Sequence, residues 1–160
     1  MSDGAGRFSE AAAAAGLAPD VRRFPEGTRT ADDAARAIGC DVGQIVKSLV
    51  FVAGSEPVLA LTSGRNRVDT AKLAMLCGGP DARKATADEV RASTGYAIGG
   101  TPPFGHPRRL LCFGDPALVA FDIVWAAAGT PDSVFEIAPD ELMRLAGARV
   151  APFTETRPGG

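Results

Sequence analysis

One hydrophobic stretch, residues 44–53, constrains the fold of this chain more than any other. It reads QIVKSLVFVA, is rich in β-branched and aromatic residues, and lies between two glycines, so it predicts a β-strand. Both faces of this strand are apolar, which is typical of an interior strand. A single charge interrupts one face, because two-residue alternation places Lys47 beside Ile45, Leu49 and Phe51.

The position of Lys47 needs an explanation. An unpaired buried ammonium is costly, so the side chain should either contact an anion or lose its proton. Alternatively, Lys47 lies near the end of the strand and extends its amine into water. The strand by itself leaves both alternatives open. The neighbouring glycines and a later glycine–proline loop favour an anion site lined by this strand.

Composition excludes several classes of protein. The formal net charge is −2, so no overall positive field attracts nucleic acid, and any such contact must be local. Three cysteines without a C-x-x-C motif, and one histidine, argue against a zinc site and indicate a reducing compartment. No apolar run approaches the ~18 residues of a membrane span. We therefore expect a cytoplasmic protein without metal or cofactor.

The remaining periodicities and caps predict a mixture of helices and hairpins. We expect helices at 9–15, 31–38, 70–77, 86–93 and 140–146, and strands at 20–25, 44–53, 57–62, 109–113, 122–126, 133–137 and 148–151. This order predicts an α+β fold with a mixed sheet rather than alternating parallel units. We expect a single domain over residues 1–160, with flexible termini at about 1–8 and 154–160.

A second informative stretch, residues 95–106, reads GYAIGGTPPFGH. The paired Gly99 and Gly100 leave backbone N–H groups sterically open, and the prolines stiffen the second half of the loop, so this loop can present amides to a carbonyl oxygen or a phosphate. It lacks the spacing of a phosphate-binding P-loop, and no G-x-G-x-x-G opens a helix, which disfavours nucleotide hydrolysis and dinucleotide binding. A purely structural loop is the alternative.

Familiar catalytic side-chain arrangements are missing. His106 is a candidate general base, but it lies in an exposed-looking loop without a nearby carboxylate. No serine lies on a G-x-S-x-G elbow, and Ser48 points away from Lys47. Most acidic residues cap helices, which leaves Asp122 and Glu136 as candidates. The pattern predicts a site built from backbone amides, one lysine and the bound substrate.

Three motifs occur in a characteristic order: VGQIVKSLVF at 42–51, GYAIGGTPPFGH at 95–106 and AGTPDSVFEIAPDEL at 128–142. Together they resemble the YbaK/prolyl-tRNA-synthetase-associated family of free-standing aminoacyl-tRNA deacylases, over a core of about 20–152. The resemblance implies a mixed β-sheet, strongly curved into a partial barrel and flanked by helices. It also implies hydrolysis of the ester that joins a wrong amino acid to the 3′ end of tRNA, often tRNA(Pro).

The resemblance assigns roles to individual residues. Lys47 would bind a phosphate of the CCA end, and the amides around Gly99, Gly100 and Gly129 would hold the ester and its oxyanion. The ribose 2′-hydroxyl or the substrate itself would assist as base. The residues expected to contact substrate are Ile45, Leu49, Phe51, Thr101, Pro102, Pro103 and His106.

Substrate and partners stay open at this point. Ala127 stands where the Cys-tRNA(Pro) branch carries a serine, and the loop at 99–103 departs from the Ala-specific branch. The amino acid therefore stays open among small residues such as Ala, Cys, Ser and Thr. Prolyl-tRNA synthetase or an elongation factor is a candidate recruiting partner. The alternatives are a non-catalytic module that binds a nucleotide, tRNA or a synthetase, and an enzyme acting on a small ester or amide.

Overall fold

The computed structural model describes residues 4–24 and 30–156, and within these ranges it contains five α-helices and eight strands. The helices are α1 Gly4–Ala14, α2 Ala31–Ile38, α3 Thr70–Cys77, α4 Ala87–Thr94 and α5 Pro139–Ala146. The strands are β1 Val21–Arg23, β2 Val46–Ala53, β3 Glu56–Ser63, β4 Arg83–Lys84, β5 Leu111–Gly114, β6 Val124–Ala127, β7 Ser133–Ile137 and β8 Arg149–Val150. Two 3₁₀ turns, Val42–Gln44 and Pro116–Ala120, were not predicted.

The strands form two sheets. One is antiparallel, with the order β1-β7-β6, and the other has the order β4-β2-β3-β5-β8, in which β5 runs parallel to both neighbours. An isolated parallel bridge between Ile45 and Trp125 connects the two sheets. The predicted mixed α+β fold is confirmed. The strongly curved partial barrel is not, because neither sheet is closed or strongly curled.

Strand β2 is interior over only part of its length. β3 pairs with all of it, from Val46 to Ala53, whereas β4 pairs only with Phe51 and Val52. β4 cannot continue along β2, because Thr86 already caps α4 two residues later. The prediction of an interior strand is therefore wrong for the first half of β2, whose outer edge is open.

Local capping chemistry explains the helix boundaries. The side chains of Thr30, Asp69 and Thr86 accept hydrogen bonds from backbone N–H groups of the first turns of α2, α3 and α4. Gly39 and Gly147 end α2 and α5 in the left-handed conformation, which glycine adopts without a Cβ penalty. The predicted positions of these helices are confirmed.

Both ends of the described chain are more ordered than expected. α1 begins at Gly4 rather than at Ser9, because Phe8 is buried against the rings of Phe104 and Phe135. At the other end, Thr154 bridges Val68, and the Glu155 N–H donates to the Arg67 carbonyl. Pro25, the expected end of β1, and the flanks 1–3 and 157–160 lie outside the described residues.

Hydrophobic packing separates the two faces of β2. Val46, Val50 and Val52 join the main core, which includes residues of both sheets and of α1, α4 and α5. Phe51 points the other way, into a smaller cluster with Val58, Leu73 and Phe113. A third cluster joins α2 to Ile45 and Trp125 at the junction of the sheets. No helix in the described ranges has the length and apolarity to cross a bilayer.

Candidate active site

A cavity of about 740 Å³ lies at the open edge of β2, within the size range of small-ligand sites. Both sheets and several loops contribute to it. The lining includes Ile45, Val46–Val50 of β2, the loop 64–67, Lys84 and Ala85, Ile98, Gly99 and Thr101 of the glycine–proline loop, Trp125–Ala127 of β6, Pro131, and Ser133 and Val134 of β7. Three predicted site residues, Ile45 just before β2 and Lys47 and Leu49 within it, thus lie in the same cavity as Gly99 and Thr101.

The Lys47 amine belongs to the cavity wall. The side chain is half-buried, and Nζ donates a hydrogen bond to the backbone carbonyl of Asn66 at 2.6 Å. Exposed Arg65, Arg67 and Lys84 also line the cavity, and Arg65 forms an ion pair with Asp41 at 2.6 Å. The lining thus contains four basic side chains and two acidic ones, Asp32 and Glu155, although the chain as a whole is slightly acidic.

A buried carboxylate fixes the loop that contacts Lys47. Asp115 is 2% exposed, and its Oδ2 accepts hydrogen bonds from Asn66 Nδ2 at 2.9 Å and from the Ser63 N–H at 3.0 Å. Its Oδ1 accepts the Ala117 N–H at 2.9 Å. Asp115 thus orients Asn66, and the Asn66 carbonyl orients the lysine.

Sequence reasoning missed Asp115 and retained Asp122 and Glu136, which are both exposed. The available signal was an aspartate followed by Pro116, which together begin a 3₁₀ turn. That signal predicts a cap. It does not predict that the same carboxylate also holds Asn66 on a distant loop.

Ser48 is a second residue that the sequence did not assign to the site. Its side chain points to the face opposite Lys47, but the cavity extends around the open strand edge and includes both. The Ser48 Oγ is buried and has no hydrogen-bond partner in the described part of the chain. The Val50 carbonyl points to the same edge, where it accepts the Ala85 N–H at 3.0 Å, so alternation directs the backbone polar groups of Ser48 toward the cavity.

Gly99 and Gly100, the paired glycines of the glycine–proline loop, have different structural roles. Gly99 is exposed, has φ +84° and lines the cavity. The Gly100 N–H already donates to the Ala97 carbonyl at 3.0 Å, and a Cβ on Gly100 would lie 2.8 Å from the Thr130 carbonyl carbon. The expectation that the Gly100 amide is open is therefore wrong: Gly100 packs backbone against backbone on the turn that follows β6.

Gly129 lies in that turn and is buried, with φ +102°. The turn is closed by its own side chains, since Thr130 Oγ1 lies 2.6 Å from Ser133 Oγ and 2.7 Å from Asp132 Oδ1. The Thr130 hydroxyl and the Arg23 guanidinium lower the pKa of the Asp132 carboxyl. Gly129 is thus next to the cavity lining and not part of it.

Four predicted substrate contacts lie away from the cavity. Phe51 is buried beneath α3. Pro102 is buried, and Pro103 and His106 line a separate cavity of about 150 Å³. His106 is half-buried rather than exposed; its Nε2 lies 2.8 Å from the Pro102 carbonyl, and burial lowers its pKa. Phe104 draws this part of the loop inward by packing on Phe8 and Phe135.

The described residues contain no group of three or more His, Cys, Asp or Glu side chains that could hold a metal ion. Cys112 is buried, and burial raises the pKa of its thiol to about 12. The polar groups that line the cavity in the described ranges are backbone amides, hydroxyls, basic side chains and the carboxylates of Asp32 and Glu155.

A family model described as "Aminoacyl-tRNA editing domain" matches residues 25–145. The chain belongs to the aminoacyl-tRNA editing domain family. The editing domain is 33% identical to the "Uncharacterized protein YwhH" of Bacillus subtilis (strain 168) over 132 residues, which cover 82% of this chain and 83% of the relative.

Two further relatives carry functional descriptions. The "Putative Cys-tRNA(Pro)/Cys-tRNA(Cys) deacylase EbsC" of Enterococcus faecalis is 27% identical to the editing domain, over 82% of this chain and 80% of the relative. A crystal structure of a "putative trans-editing enzyme for prolyl tRNA synthetase" superposes with a TM-score of 0.91 at 47% identity, covering 98% and 99% of the two chains. The family resemblance, and with it the prediction of an editing enzyme, is confirmed at the level of the family.

Proposed function

We propose that this editing domain is a trans-editing deacylase, which hydrolyses the ester between a small amino acid and the 3′ end of a mischarged tRNA. The observation that carries the proposal is the common cavity of Lys47 and Gly99 at the open edge of β2. The names of two relatives, which mention Cys-tRNA(Pro) and prolyl-tRNA synthetase, support tRNA(Pro) as the first tRNA to test. Alanine, cysteine, serine and threonine are the candidate amino acids.

Lys47 is assigned to the phosphate of the CCA end. The Asn66 carbonyl accepts a hydrogen bond of 2.6 Å from the ammonium and thereby orients it. Charge-assisted hydrogen bonds to a phosphate are about twice as strong as neutral ones. Arg67 and Lys84, exposed at the mouth, extend the positive potential toward the incoming nucleic acid.

Gly99 is assigned to the reacting carbonyl. In the described ranges its N–H makes no hydrogen bond, so it can donate to the oxyanion that forms when water attacks the ester carbon. The new C–O bond to water forms as the bond to the ribose 3′ oxygen breaks, and a proton passes to that leaving oxygen. The described lining contains neither histidine nor cysteine, and its two carboxylates are those of Asp32 and Glu155. We assign proton transfer to the neighbouring ribose 2′-hydroxyl.

Side chains around the cavity set the size of the amino acid. Ile45, Leu49 of β2 and Trp125 of β6 form an apolar wall. An apolar wall of this kind discriminates by only about 1–3 kcal/mol per methylene. Selectivity among alanine, cysteine, serine and threonine therefore needs a polar contact as well, and the buried Ser48 hydroxyl is the nearest candidate on the strand.

The decisive experiment measures hydrolysis of Ala-, Cys-, Ser- and Thr-tRNA(Pro) by the wild type and by Lys47→Ala. We expect at least one substrate to be hydrolysed, and the variant to lose about 10²–10³ in rate, the cost of one stabilising contact. Arg144→Ala is the matched control, because Arg144 is exposed on α5 outside the cavity lining and pairs there with Glu141 at 3.6 Å. Failure on all substrates would reject the substrate class, whereas full activity of Lys47→Ala would reject only the lysine's role.

Recruitment by a partner is the second part of the proposal. With a net charge of −2 and few cations at the mouth, the editing domain by itself should bind tRNA weakly. Prolyl-tRNA synthetase or an elongation factor would deliver the substrate. A non-catalytic tRNA- or synthetase-binding module would show the same association without any turnover, and a small-ester hydrolase would act on aminoacyl esters that lack the CCA phosphates.

A further inference from the structure

We propose that helix α1 is a positioning element of the active site, which sets the distance between the glycine–proline loop and the turn after β6. The inference rests on the proposed function for its effect on the reaction. α1 lies entirely outside residues 25–145, which match the editing-domain model. Nevertheless it contacts both segments that carry the glycines of the site.

The first contact is backbone on backbone. A Cβ added to Gly4 would overlap the carbonyl oxygen of Gly129, and a Cβ added to Gly129 would overlap the carbonyl oxygen of Gly4. On its other side, the same turn packs against Gly100, where a Cβ would lie 2.9 Å from the Pro131 nitrogen. Three backbone segments are thus stacked in direct contact, and no side chain between them can absorb a displacement.

The second set of contacts holds the glycine–proline loop at several points. The Arg7 guanidinium donates to the Gly95 carbonyl and lies 4.6 Å from the centroid of the Tyr96 ring. The next residue of α1, Phe8, packs on Phe104 with ring centroids 5.7 Å apart. Gly105 approaches Ala11 so closely that a Cβ on the glycine would meet the alanine side chain.

These contacts surround the loop residues that line the cavity, namely Ile98, Gly99 and Thr101. The loop itself has no regular structure to maintain its shape. Its position relative to Lys47 therefore depends on α1 and on the stacked turn. A misplacement of about 1 Å at a reacting centre can cost about 10²-fold in rate. A small shift of α1 should therefore lower the rate of the reaction.

The test is Gly4→Ala. Its methyl group would overlap the Gly129 carbonyl oxygen, so α1 and the turn must shift relative to each other. We therefore expect kcat for deacylation of tRNA(Pro) substrates to fall by about 10-fold or more, with KM near the wild-type value. Gly79→Ala is the matched control, since no atom lies within 4 Å of the Cβ that it adds. Val58→Ala, at the far end of the β2–β3 hairpin, controls for lost stability. All proteins are assayed at a temperature at which circular dichroism shows them folded.

A second readout does not depend on activity. Trp125 is the only tryptophan and lines the cavity on β6, directly before the turn, so its fluorescence should change in Gly4→Ala and not in the two controls. The inference is overturned if the wild type is active and Gly4→Ala matches the controls in both kcat and fluorescence. If the wild type is inactive but Gly4→Ala still changes the Trp125 fluorescence, the proposed function is overturned, and the role of α1 as a positioning element is supported.

Discussion

Lys47 and Ser48 are neighbours in the sequence and point to opposite faces of β2, yet both line the cavity. Strand alternation correctly separates their side chains. It does not reveal that β4 stops short and leaves the edge of β2 open, so that one cavity reaches both faces. A buried hydroxyl without a partner costs about 1–3 kcal/mol, and a polar group of the substrate would relieve this cost.

Substitution Ser48→Ala should therefore separate stability from activity. The free energy of unfolding should stay the same or rise, because a buried unpaired hydroxyl is removed. In contrast, kcat/KM should fall by about 10-fold, the value of one hydrogen bond to substrate. Urea denaturation and the deacylation assay measure the two effects.

Ser63→Ala is the control for this pair of measurements. Ser63 is buried, and its Oγ donates to the Gly43 carbonyl at 2.9 Å, so its loss should cost about 1–3 kcal/mol. If Ser48→Ala destabilises the protein as much as Ser63→Ala does, the Ser48 hydroxyl has a partner in solution and is not held for substrate.

The glycine–proline loop is the element whose shape is maintained by side-chain packing rather than by regular secondary structure. The sequence predicts an irregular segment at 95–107, and the structure agrees. Its two halves have different surroundings: Gly99 faces the large cavity, whereas His106 lies against the Pro102 carbonyl and the edge of the Tyr96 ring. Burial of Phe104 between these halves decides which residues can meet substrate.

His106, in the second half of this loop, should make the free energy of unfolding depend on pH. Burial lowers the pKa of His106, so below about pH 6.5, its unfolded value, the unfolded chain binds more protons than the folded one. The free energy of unfolding should then decrease as the pH falls from about 6.5 toward the folded pKa. His106→Gln keeps a donor for the Pro102 carbonyl and should flatten this dependence.

Urea denaturation at several pH values between about 7.5 and 5 measures the slope. His106 is the only histidine, and the carboxyls with lowered pKa, Asp41, Glu89 and Asp132, contribute only below about pH 5. Equal slopes for the wild type and His106→Gln would show that the histidine is as accessible to protons as in the unfolded chain.

For the whole molecule, the distribution of charge matters more than its sum. The net charge of −2 predicts no general affinity for nucleic acid. The fold nevertheless places Lys47, Arg67 and Lys84 around one cavity, while Arg65 is paired with Asp41. The protein should therefore contact tRNA through a few phosphates at one end rather than along an extended face.

This distribution predicts a shallow salt dependence of tRNA binding. Three cations on a single-stranded CCA end correspond to a slope of about −2 in log K against log salt, at about −0.7 per phosphate. Lys84→Ala should reduce the slope by about 0.7, and Arg144→Ala, on the exposed surface of α5, should leave it unchanged. A wild-type slope of about −5 or steeper would mean that a larger basic surface takes part.

Helices and strands whose formation depends on residues only a few positions away could be predicted from the sequence. Caps at Thr30, Asp69 and Thr86 act within a few residues, so α2, α3 and α4 were predictable. The hydrophobic alternation of 44–53 likewise predicted β2 and the face of Lys47. The motif order was sufficient to indicate the family.

Contacts between segments that are distant in the sequence follow only from the three-dimensional packing. Whether an edge of β2 is open depends on where β4 stops, and whether an amide is open depends on whether another backbone lies against it, as at Gly100. Asp115 and α1 contribute through contacts with residues about 50 and 90–125 positions away in the chain. Such contacts follow from the packing of elements, and no local pattern encodes them.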